Sequence, residues 1–105
     1  IAVKDLKQLK KDFGFVQDYG YEYGYDLKHY VYPSVVFIKN NNKKNEIGFN
    51  YEEGRMYAIY YRSEKLRDWE EILDHVEFNS RKYSDQVEKA KNVLKEFLNQ
   101  QNNVN

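Results

Sequence analysis

Residues 13–25 read Phe13-Gly14-Phe15-Val16-Gln17-Asp18-Tyr19-Gly20-Tyr21-Glu22-Tyr23-Gly24-Tyr25, with a ring on every second position except Gln17. Side chains alternate between the two faces of an extended segment, so a period of two lines these rings along one side of a strand over Phe15–Tyr25. Such a side is either half of a core or a surface built for contact, because tyrosine joins a large apolar ring to a polar tip. Gly20 and Gly24 remove side chains from the opposite side and mark a bend.

Working outward, the preceding residues carry Ala2, Leu6, Leu9 and Phe13 at helical spacing, with lysines on the other side. A first helix is expected over residues 2–13, closed by Gly14. Downstream, Asp26-Leu27-Lys28 reads as a turn and His29 to Lys39 as a second extended stretch. Pro33 interrupts it, and Val35 to Ile38 is apolar on both faces. Asn40 to Asn45 reads as an exposed loop. Ile47, Phe49 and Tyr51 alternate with polar residues as a third strand. Glu52-Glu53-Gly54 forms a hairpin turn, and Arg55 to Arg62 a fourth strand with apolar groups on both faces.

Trp69, Ile72, Leu73 and Val76 then fall at helical spacing, with Asp68 and Glu71 as a capping box. Phe78 to Lys82 is a connector. A last helix begins at Ser84-Asp85 with Val87, Ala90, Leu94, Phe97 and Leu98 inward. The expected fold is α+β: an N-terminal helix, a four-stranded antiparallel meander, and two C-terminal helices on one sheet face. Residues 1–100 form one domain and 101–105 a frayed polar tail.

The chain has 105 residues, 17% aromatic and 32% charged, with seventeen basic and seventeen acidic side chains that cancel. Mean hydropathy is −0.97. The charge is patchy: residues 39–45 carry +3 and residues 63–80 carry −4. A neutral chain lacks the basic excess of most nucleic-acid binders. The absence of cysteine removes disulfide and thiolate chemistry and favours the cytoplasm. No apolar run is long enough to span a membrane.

Candidate chemistry is sparse, and no cofactor is expected. Asp18, Glu22 and Asp26 share one face of the expected first strand, but four strand residues span about 13 Å, too far for carboxylates to share one cation. His29 and His75 are not brought together by any spacing, and the serines lack a nucleophile elbow.

Two functions fit these observations. In the first, the protein binds another, basic protein through Tyr19, Tyr21, Tyr23 and Tyr25 or through the acidic segment bearing Glu70, Glu71 and Asp74. Small cysteine-free α+β domains of this kind include immunity proteins that block nuclease toxins. That likeness is one of architecture, without a family motif, and extends to inhibitor proteins in general. In the second, Lys39, Lys43 and Lys44 with nearby tyrosines act on nucleic acid, as a single-strand binder or as a ribonuclease similar to toxins of the RelE type. The exposed tyrosine side could also pair with its own copy as a homodimer.

Overall fold

The computed structural model describes residues 2–26, 34–52, 55–65, 68–73 and 83–103. Helix α1 spans Val3–Asp12, with Asp5 in its first turn and Lys10 and Lys11 in its last, a charge order that complements the helix dipole. Its buried side is Asp5 and Leu9, continued by Phe13. Ala2, expected on the inner stripe, is exposed.

The aromatic stretch departs from the expected strand. Gly14–Tyr19 forms a 3-10 helix, closed by Gly20 at φ 87°, where the amide of Gly20 donates to the carbonyl of Gln17. A left-handed residue ending a helical turn is a natural place for glycine. Strand β1 therefore begins only at Tyr21 and runs to Asp26. Phe15 and Tyr19 project from helical backbone, and the expected carboxylate face is not formed: Asp18 lies in the 3-10 helix, and the register break after Tyr23 sets Glu22 opposite Ile38 but Asp26 opposite core residue Val35.

Strands β2 (Val35–Lys39), β3 (Asn42–Glu52), β4 (Arg55–Arg62) and β5 (Glu70–Leu73) complete an antiparallel meander in the order β1-β2-β3-β4-β5. The described residues form five strands where four were expected. The additional one comes from the segment read as the Trp69 helix. Glu70 and Glu71 pair with Tyr61 and Tyr60, and Leu73 with Ile59. Asn40 and Asn41 make the turn after β2, while Asn42 to Asn45, expected as loop, already belong to β3. One C-terminal helix is described, α2 (Tyr83–Asn103), and it continues through part of the segment expected as a tail. The expected features at residues 27–33, 53–54 and 74–82 lie outside the described residues.

The main core joins Leu9, Phe13 and Val16 to the odd-numbered sheet residues Tyr21, Val35, Phe37, Ile47, Phe49, Tyr51, Ile59 and Tyr61, closed by Ala90, Leu94 and Leu98 of α2. Ring contacts bind the layers: Phe13 lies 4.9 Å from Phe49 and Phe97 lies 4.9 Å from Tyr61. Buried Ser34 ties the start of β2 to β3. Its hydroxyl donates to the Phe49 carbonyl at 3.0 Å and accepts from the Tyr51 amide at 3.0 Å. Val36 and Ala58 are buried as well but stand outside this cluster, on the other side of the sheet.

Each strand pairing contains one break in register. In β1 the extra residue is Gly24: Tyr23 pairs with Phe37, yet Tyr25 pairs with Val36. Irregularities of this kind bend a strand and raise its twist. They also decide which side chains reach the face away from the core.

Candidate functional site

The four tyrosines expected to line one surface are distributed by this geometry over four environments. Tyr19 is half-buried and its hydroxyl donates to Asn99 Oδ1 of α2 at 2.7 Å. Tyr21 belongs to the core, where its hydroxyl hydrogen-bonds Tyr61 and Asn45. Burial, then the Tyr61 phenol, push its pKa far up, so it stays neutral. Tyr23 remains on the core side at the rim, edge-on to Phe37 with ring centres 6.1 Å apart. Lys10 Nζ sits 3.9 Å above its ring, and its hydroxyl donates to Asp26. Burial of the ring, then Asp26, raises this phenol to about 12.

Tyr25 alone crosses to the opposite side, sent there by the bulge at Gly24. Two cross-strand rows run over that side. One is Glu22–Ile38–Glu46–Arg62, and the next is Tyr25–Val36–Gly48–Tyr60–Glu71. Arg62 grips Glu46 with both arms of its guanidinium, Nε to Oε1 at 3.1 Å and a terminal nitrogen to Oε2 at 3.0 Å. The fork geometry of arginine matches a carboxylate in this way. The same guanidinium lies 4.1 Å from the ring centre of Trp69, just before β5, and Tyr60 meets Trp69 edge-on at 6.5 Å. The Tyr25 hydroxyl hydrogen-bonds both Arg62 and Glu46, and burial followed by the Glu46 charge raises its pKa. Five residues from β1, β3, β4 and the entry to β5 thus form one polar–aromatic network.

Exposure divides this face. Val36, Asn50 and Ala58 are buried, whereas Ile38, Tyr60, Arg62 and Trp69 are partly open and Tyr25 is 38% exposed. Glu22 and Glu71 are exposed at opposite edges and have no ion-pair partner among the described residues. Among the described residues of this side, Arg62 is engaged by Glu46 and Lys44 by Glu64 at 3.1 Å.

The other expected residues are not drawn together. Glu70 and Glu71 are exposed on an edge strand rather than on a helix, and they project to opposite sides because they are sequence neighbours. Asp74 lies outside the described residues. Lys43 is exposed, Lys44 faces Glu64, and Lys39 Nζ lies 5.9 Å from the Tyr21 ring centre on the core side, so the three lysines do not converge. His29 and His75 are outside the described residues. Among those described, no group of three or more His, Cys, Asp or Glu could hold a metal ion, and no helix is long and apolar enough to cross a membrane.

Glu46, Tyr60, Arg62 and Trp69 were not expected as site residues. Even positions of β3 and β4 share a face only because the register shifts between Asn50 and Tyr51, so strand alternation carried no signal for this cluster. No protein-family model matches the chain, and neither a curated protein nor a solved structure gives a significant match.

Proposed function

We propose that this chain is a protein-binding module whose contact surface is the sheet side away from the core, centred on Tyr25, Tyr60, Arg62 and Trp69. The observation that carries this reading is the residue set itself. Tyrosine, tryptophan and arginine dominate the energetics of protein interfaces, and here they sit together, partly open, on rigid strands. Ring and guanidinium are held in place by the Glu46 fork and the Trp69 stack, so little side-chain entropy is left to lose on docking. The acids at the margins favour a basic protein, and a role as an inhibitor or immunity-type protein fits such a surface.

The test is capture from the native host with the wild-type chain and with Tyr25→Ser as baits. Tyr25 is exposed at the rim, so this variant keeps the fold, which circular dichroism verifies. A protein retained by the wild type and lost by Tyr25→Ser is the expected result. Retention of the same proteins by both baits overturns the reading.

A further inference from the structure

The arrangement of charge on this face defines what the partner must offer, and here the argument rests on the binding surface just proposed. Glu22 stands on β1 and Glu71 on β5, the two edge strands, and both side chains are exposed. Four inter-strand spacings separate them, about 20 Å once the one-row offset is included. Between them lie Tyr25, Ile38, Tyr60 and Trp69, partly open. Arg62, which lies among them, is consumed by Glu46 and the Trp69 ring. The surface therefore presents an aromatic centre bracketed by two acids that have no ion-pair partner among the described residues.

We infer that the partner is a cationic peptide segment lying across the strands, with one positive side chain at each edge about 20 Å apart and its intervening residues over the rings. An extended segment covers that distance in about six residues at 3.3 Å each. Lysine and arginine stems also pack well on rings, as Arg62 already does on Trp69.

Two octapeptides of equal length and charge test this: Lys-Lys-Gly-Ser-Gly-Ser-Lys-Lys, whose cations sit over both edges, and Gly-Ser-Lys-Lys-Lys-Lys-Gly-Ser, whose backbone spaces its outermost cations only about 10 Å apart, so that reaching both edges needs both stems fully splayed. Trp69 is the sole tryptophan, so its fluorescence reports binding at the site. At 0.1 M salt the screening length is about 10 Å, so each acid is felt locally. The end-charged peptide is expected to bind about fivefold more tightly, the gain from one additional surface ion pair. Glu22→Gln and Glu71→Gln should each reduce its affinity to that of the centre-charged peptide. Equal affinity of the two peptides, no fluorescence change with either, or a preference for an octaglutamate control overturns the inference. If that happens while Tyr25→Ser still abolishes capture, the interface stands and only the bridging cation falls. If capture is also unchanged, the interface lies elsewhere.

Discussion

Two glycines in the aromatic stretch act by different physics, and single substitutions separate them. Gly20 needs its positive φ of 87°, yet the nearest atoms to an added Cβ would be Lys39 carbons 3.9 and 4.0 Å away. Gly20→Ala is therefore expected to cost about 1 kcal/mol from backbone strain alone. At Gly24 an added Cβ would come within 2.5 and 2.7 Å of Ile38 side-chain atoms and 3.1 Å of the Val36 carbonyl oxygen. Gly24→Ala should then cost about 1–3 kcal/mol by overpacking, and Gly24→Ala/Ile38→Ala should recover part of that cost. Urea midpoints measure both; if the double variant loses as much as the two single variants combined, the clash with Ile38 is not the cause. In the sequence, the two glycines look like equivalent interruptions of a period-two pattern. That pattern is genuine from Tyr21 to Tyr23 only. Before it, a 3-10 helix carries Phe15 and Tyr19, and after it one extra residue sends Tyr25 to the other face.

At the scale of elements, apolar spacing revealed α1, the core of β3, all of β4 and the inner side of α2. It misassigned Trp69 to Leu73. Trp69, Ile72 and Leu73 fit a helical stripe, but a four-residue run fits a strand equally well, and β4 offers an unsatisfied edge that backbone pairing satisfies. The central ion pair was hidden for a related reason. Counted back from the Glu52–Arg55 pair, a regular hairpin would set Glu46 opposite Tyr61. The break at Asn50/Tyr51 shifts the ladder by one residue and sets it opposite Arg62. A single-residue shift exchanges the faces of a strand, so the Glu46–Arg62–Trp69 cluster was not legible from alternation. The Glu46 side chain is 12% exposed and that of Arg62 31%. Arg62→Ala leaves a mostly buried carboxylate without its partner and strips the Trp69 stack. A loss of about 2 kcal/mol is expected, below the value for a fully buried pair. Arg62→Lys should recover less than half of it, since an ammonium provides neither fork nor flat stack. Thermal or urea unfolding checks both, and full recovery by lysine would reduce the contact to simple charge pairing.

Across the whole molecule, the phenols report on folding at high pH. Among the described residues, five tyrosines drawn from three strands and both sheet faces have raised pKa values. Tyr23 and Tyr51 reach about 12, Tyr51 through burial and then the Asp5 and Asp12 charges. Tyr21, Tyr25 and Tyr61 move in the same direction, each chiefly through burial. In the unfolded chain a tyrosine titrates near 10. Because the folded state favours the protonated phenol, this contribution to stability is complete below pH 10 and declines as pH rises from 10 through 12. Absorbance at 295 nm should therefore show part of the eleven tyrosines ionising near pH 10, with the rest delayed until the helical circular dichroism collapses. Tyr21→Phe removes the phenol with the largest upward shift and preserves its ring. It is expected to decrease the delayed amplitude by one tyrosine while leaving Asn45 and Tyr61 to find other partners. A titration in which all eleven ionise together near pH 10, with the fold intact, would mean that these rings are solvated and that the aromatic layer between sheet and helices does not exist in solution.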